Sequence, residues 1–358
     1  MIRRTAIAAL LAAALVLSAC ASAPDATGDE PRGGTIALLL PDTDTARYES
    51  TDRPMFERVA AQRCPECRLL YANAGSDAAR QQEQAETMLA RGAKVLVLDA
   101  VDTVAAASIV AAATRNDALV IAYDRFIDAP GVTAYVSFDS TLIGRQQATA
   151  VREAIEGTGT ADPGVLLLNG SATDPNAAAL RTGALQALKG SGIEVLAELD
   201  TPGWSSARAQ EWTTAQIARF PGRIDGVIAA NDALAGGAIA ALNAAGIHPL
   251  PPVSGQDAEL SAVQRIVAGE QLMTVAKAAD DQARTAAEVA VRLVRGEHPL
   301  APTRIRGVAS FVLAPTVAFR DDLARVVVQG RMHDVHDICT ASYAAACIDL
   351  GLIEEDSE

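Results

Sequence analysis

Val227-Ile228-Ala229-Ala230-Asn231-Asp232-Ala233-Leu234-Ala235-Gly236-Gly237 is the stretch that decides how the chain is read. A short apolar run stops at an amide and a carboxylate, and a helix of small residues follows at once. A buried parallel strand has this form: it is apolar on both faces and delivers polar groups at its carboxyl end, where open α/β sheets bind ligands. The same grammar closes three other runs, Ala122-Tyr123-Asp124-Arg125, Val136-Ser137-Phe138-Asp139 and Ser254-Gly255-Gln256-Asp257. Several strand ends therefore aim acids, amides and an Arg at one place, which predicts a pocket for a small polyhydroxylated molecule.

Outward from this stretch the alternation continues. Strand-like runs at 36–40, 69–72, 95–98, 119–123 and 133–138 enclose helical stretches at 53–62, 77–91 and 101–114. A second set repeats the plan, with helices at 142–156, 176–189 and 207–219 between strands at 165–168, 195–199 and 227–230. Helix 233–245 follows, with Gly246 at the position expected after its end. Beyond it come a short strand at Val253, a helix at 260–268, and a strand at 272–276 that heads back to the first half. Helix 280–295, strand 311–313 and helix 319–329 complete the body. Short apolar runs separated by helical patterns imply βαβ units and parallel sheets. The expectation is an α/β protein of two doubly wound parallel-sheet lobes, and 358 residues suffice for both. Hydrophobic residues make up 50% of the chain and aromatics 4%, so the core is built from Ala, Val, Leu and Ile.

Charge and the N-terminus speak to location and partners. The formal net charge is −14, with no Lys/Arg run to attract a phosphate backbone, which argues against nucleic-acid binding. Met1-Ile2-Arg3-Arg4 and the apolar run from Ala6 to Leu17 match a secretory leader, the run being too short to span a bilayer comfortably. It ends in Leu17-Ser18-Ala19-Cys20, which resembles the bacterial lipobox. Residues 1–19 are expected to be a leader, Cys20 the lipidated new N-terminus, and 20–34 an Ala/Ser/Pro/Gly/Asp-rich tether. The body then lies outside the cytoplasm, anchored to a membrane.

Four of the five Cys remain, as two local pairs: Cys64 with Cys67, and Cys339 with Cys347. Cys64-Pro65-Glu66-Cys67 follows a helix and precedes a strand, unlike a redox Cys-x-x-Cys that opens a helix, so a structural disulfide is favoured. Zinc held by all four is disfavoured by their unequal spacing. His333 and His336 could share a helix face as metal ligands, but no third ligand accompanies them. No metal or cofactor is expected.

Enzyme motifs are missing. The sequence has no Gly-x-Ser-x-Gly elbow and no phosphate loop, and its four His supply a His-based catalytic system poorly. What it has suits holding a sugar unreacted. Asp and Asn reach vicinal hydroxyls, Arg and Lys donate to oxygens, and a flat aromatic covers the C–H face of the ring. Trp204, after Pro202-Gly203 at a strand end, is a candidate for that face, whereas Trp212 inside a helix reads as packing.

Taken in order, Ala122–Arg125, Ser137–Asp139, Asn231–Ile239, Val253–Ala258 and Met273-Thr274-Val275-Ala276-Lys277 resemble the D-xylose-binding proteins of ABC transporters, in the type I periplasmic binding protein class. The resemblance covers residues 35 to about 330. It implies two lobes joined by a three-segment hinge: 35–137 plus 276–308, and 138–275 plus 309–331, with 332–358 as a tail holding a Cys pair. It also implies a monosaccharide, D-xylose first among candidates, held between the lobes by a monomer that passes it to a permease. By matching positions, Arg47, Tyr48, Asp124 and Arg125 come from the first lobe. Asp174, Asn176, Trp204, Asn231 and Asp257 come from the second, Lys277 follows a crossing, and Tyr48 and Trp204 sandwich the ring. Asp232 is assigned to capping the helix that begins at Ala233. Tyr48 stands where Trp is usual, Pro175 where Asn is usual, and Ala276 and Ala278 replace bulkier residues, which bears on sugar identity. The Cys pairs resemble those of Gram-positive, high-GC relatives. A sugar sensor coupled to a membrane receptor or kinase fits the same residues. A carbohydrate-active enzyme fits them less well, and a transcription-factor core is opposed by the export signal.

Overall fold

Ile36, Leu38 and Leu40 pack beneath one pair of helices while Ala37 and Leu39, between them, pack beneath another. Both faces of that strand are covered, so its sequence reads as one continuous apolar run. One pair is Arg53–Arg63 and Ala279–Val294, the other Ala78–Ala90 and Ala107–Arg115. The opening stretch behaves alike: Val227 and Ala229 face one apolar cluster and Ile228 the other.

The computed structural model describes residues 33–354, so the expected leader, Cys20 and most of the tether lie outside the described residues. The strands in chain order are β1 (Thr35–Leu40), β2 (Arg68–Asn73), β3 (Ala93–Leu98), β4 (Leu119–Tyr123), β5 (Val132–Phe138) and β6 (Gly164–Asn169). They continue with β7 (Glu194–Asp200), β8 (Gly226–Ala229), β9 (Met273–Ala276), β10 (Thr303–Ile305), β11 (Val308–Leu313) and β12 (Thr316–Phe319). The first sheet has the order β10-β11-β5-β4-β3-β1-β2, parallel except for β10. The second has the core order β7-β6-β8. Val253 bridges to Val227 of β8, Gln256 bridges to Val275 of β9, and β12 pairs antiparallel with β9. The chain crosses between the sheets after β5, after β9 and between β11 and β12.

Asp139 and Asp174 accept backbone N–H groups at the starts of helices Ser140–Glu156 and Pro175–Leu188. Gly246 ends helix Asp232–Ala244 as expected: its φ is +70°, its N–H donates to Asn243, and Ile247 N–H donates to Leu242. Among the described residues no helix is long and apolar enough to cross a membrane.

Several sequence expectations are corrected. Residues 309–313 were assigned to the second lobe, but β11 pairs in parallel with β5 of the first sheet, which moves the third crossing to 314–315. The strand expected at 272–276 to return to the first half, β9, pairs within the second sheet, and the return begins at Lys277. Helix 101–114 forms only from Ala107, because the Asp102 carboxylate accepts the Val104 and Ala105 N–H groups and holds a turn. The last helix is two short pieces, Arg320–Asp322 and Ala324–Val328. The tail packs on the second lobe, with Ile338 and Cys347 fully buried against Val263, Ile266 and Val267. The structure pairs Cys64 with Cys67 and Cys339 with Cys347, with Cα atoms 5.2 and 5.9 Å apart.

Candidate functional site

The carboxyl ends of both sheets face one cavity. All ten candidate residues line it. From the first lobe, Arg47 and Tyr48 come from the segment after β1, and Asp124 and Arg125 directly follow β4. From the second, Asp174 and Asn176 sit at the start of helix Pro175–Leu188, Trp204 after β7, Asn231 after β8, and Asp257 between Gln256 and β9. Lys277 lies on the crossing after β9. Asp124, Trp204 and Asp257 have φ of +58°, +56° and +96°, a region that residues other than glycine occupy rarely.

The charged side chains interlock across the cleft. Lys277 Nζ lies 3.3 Å from both Asp124 carboxylate oxygens and 3.7 Å from Asp257. Arg47 donates to Asp52 through Nε (2.9 Å) and Nη2 (2.6 Å), and Nη2 also donates to Gln282. Its Nη1 faces Asp124 at 3.3 Å and Asp257 at 3.7 Å, with no hydrogen-bond partner among the described residues. Arg125 Nε sits 2.9 Å from Asp174 and 3.3 Å from Asp99, and Nη1 donates to the Ala100 carbonyl. Asn176 Nδ2 donates to the Asp124 carbonyl and carboxylate, joining the lobes.

Burial pushes the Asp124 carboxyl up, but Lys277, Arg47 and Arg125 together pull it down to about 2. Burial also opposes the charge on Arg125, and Asp174 with Asp99 and Asp42 more than restores it. Asp174 rises because burial outweighs the attraction of Arg125. Its carboxylate accepts from Trp204 Nε1 (3.2 Å) and from the Asn176 N–H (2.8 Å), so it orients the ring as well as the guanidinium. The indole lies so close to Gly170 that a Cβ there would meet ring carbons at 2.1 Å.

Asn231 takes the capping role expected of Asp232 and keeps the place on the cavity expected of it. Asn231 is the helix cap, its Oδ1 accepting the Leu234 N–H at 3.0 Å, and it also lines the cavity. Asp232 is fully buried behind it and accepts from Gln271 Nε2, Thr274 Oγ1 and the Glu259 N–H. Burial, reinforced by Asp257, raises its carboxyl to about 7.

Sequence reading missed Thr45, Ser140 and Gln256, which also line the cavity. It also missed the supporting groups Asp52 and Asp99; Asp99 is fully buried, and burial holds its carboxyl well above the usual range. Gln256 adjoins Asp257 in a stretch already singled out, so its signal was available. Asp99 follows the strand at 95–98, the same strand-end position that marks Asp124. Nothing marked Thr45 or Ser140. Neither His333 nor His336 belongs to a group of three ligand-type side chains among the described residues.

A profile described as a periplasmic binding protein domain matches residues 36–298. The D-xylose-binding periplasmic protein of Escherichia coli is 33% identical over 306 residues, 83% of this chain and 90% of that one. The multiple sugar-binding periplasmic receptor of Rhizobium radiobacter is 28% identical, over 90% and 97% of the two chains. An ABC transporter solute-binding protein from Clostridium phytofermentans, solved with bound β-D-glucose, aligns with a TM-score of 0.75 at 26% identity, covering 85% of this chain and 99% of that one. These relatives are named for binding or transport, not for catalysis. The shared sequence runs through both lobes and every strand end that reaches the cavity, and the chain belongs to the periplasmic binding protein family.

Proposed function

We propose that the protein is an extracytoplasmic, sugar-binding component of an ABC transporter, anchored through a lipid on Cys20, which holds a monosaccharide between its lobes as a monomer. D-Xylose is the first candidate. The observation that carries the reading is the meeting of Asp124, Lys277, Arg47, Asn176, Asn231 and Asp257 from both lobes on one cavity bordered by Tyr48 and Trp204. Carboxylates and amides accept and donate to vicinal hydroxyls, the cations balance the acids, and the two aromatics offer faces to the C–H surface of a ring. The names of the relatives support D-xylose, and the glucose-bound structure keeps hexoses in the test. Closing of the lobes over the sugar would couple occupancy to docking on a permease.

Calorimetry of the purified protein with D-xylose, L-arabinose, D-glucose and D-galactose tests this. The expected result is one-site binding of at least one sugar with Kd of about 10 μM or tighter, roughly 7 kcal/mol. No heat with any of them overturns it. Membrane retention that is lost on Cys20→Ala tests the anchor separately.

A further inference from the structure

Asp257 and Ala258 are consecutive non-glycine residues with φ of +96° and +52°. Such backbone persists only where its surroundings over-determine it. On the amide side the second lobe does this itself: Asp257 N–H donates to the Val275 carbonyl, Ala258 N–H to Thr274 Oγ1, and Glu259 N–H to Asp232. On the carbonyl side the partner comes from the tail, where His333 Nε2 lies 2.7 Å from the Ala258 oxygen. A carbonyl only accepts, so Nε2 carries the proton, and it does so in both the matching neutral tautomer and the imidazolium.

The tail that presents His333 is fastened at several points. Met332 N–H donates to the Val327 carbonyl, Gln264 donates to the Asp337 carbonyl, and Ile338 and the Cys339–Cys347 disulfide pack into the second lobe. This segment lies beyond residue 298, where the family match ends.

We propose that His333 is a positioning residue for sugar binding: from the stapled tail it holds the Ala258 carbonyl and so fixes the Asp257 carboxylate in the cleft. This rests on Asp257 being a sugar contact. Among the described residues the His333 side chain makes one hydrogen bond, to that backbone carbonyl.

A double-mutant cycle read by calorimetry, with a sugar that the parent binds, tests it. His333→Ala is expected to weaken binding roughly 5–10-fold, the effect of one lost hydrogen bond. His333→Gln, which keeps an N–H donor, should recover most of that. In an Asp257→Asn background, chosen because binding stays measurable, His333→Ala should add less than about twofold. Parent-like affinity of His333→Ala, or the same loss in the Asp257→Asn background, overturns the proposal. Parent-like affinity of Asp257→Asn itself would instead strike at the sugar-contact reading of Asp257 and remove the proposal with it. Thermal melts of each variant confirm that affinities are compared between folded proteins.

Discussion

Asp124 and Asp232 each follow the end of a parallel strand, one in each lobe, and both are buried, at 4% and 0% exposure. Their ionisation diverges. Asp124 is drawn down to about 2 and faces the cavity, whereas Asp232 is pushed up to about 7 and turns into the protein. Burial acts on both in the same direction, so it is not the difference. Asp124 has Lys277, Arg47 and Arg125 around it, and Asp232 has Asp257 nearby with Arg265 as a weaker counterweight. A strand end places a carboxyl; cations arriving from other segments decide whether it is charged. Lys277 comes from 153 residues away.

The strongest way to break this contrast is Asp124→Ala. It leaves Lys277 without its 3.3 Å partner and Arg47 without one of its own, both buried. Sugar affinity should fall 100-fold or more, about 3 kcal/mol, when titrated by calorimetry. A loss below tenfold would place Asp124 outside the binding set. Asn231→Ala comes next, because Asn231 both caps a helix and lines the cavity. Affinity should weaken by about 2 kcal/mol, and unfolding free energy should drop by about 1 kcal/mol in denaturant titrations. A stability loss with unchanged affinity would leave Asn231 as a cap alone. Asp232→Asn should have the smallest effect on binding, within about twofold, and should show in stability instead. A carboxyl at about 7 in the folded state and near 3.8 unfolded holds its proton more tightly when folded. Its contribution is therefore fully present below about pH 4 and lost as pH rises through 7. Denaturant unfolding at pH 4.5 and 8 should show that decline in the parent and a shallower one in Asp232→Asn.

The strand-end grammar made the cavity readable because parallel sheets gather their carboxyl ends, so residues distant in sequence with that signature converge. The resemblance placed Arg47 and Tyr48, which lie at the start of the helical turn leading into helix Arg53–Arg63 and carry no such signature. Which of Asn231 and Asp232 caps the helix was not legible, since that depends on where the helix takes its first turn, a matter of one residue. The membership of Val308–Leu313 in the first sheet was hidden for a related reason. A strand's apolar run says that it is covered, and its partner β5, 175 residues earlier, is fixed only by packing. The tail's burial was illegible because its apolar residues, among them Ile338 and Cys347, do not say what covers them, and the covering helix Leu260–Val267 lies far back in the chain.

Three short connections join the lobes, and Lys277 lies within one of them. Three tethers suppress sliding and twisting between two bodies and leave bending about their common line as the easy motion. A group on the pivot travels least as the lobes swing, while Asp124 and Asp257 ride on opposite arms. In the closure proposed above, Lys277 would therefore keep hold of either carboxylate through the swing, a fixed bearing around which the jaws turn.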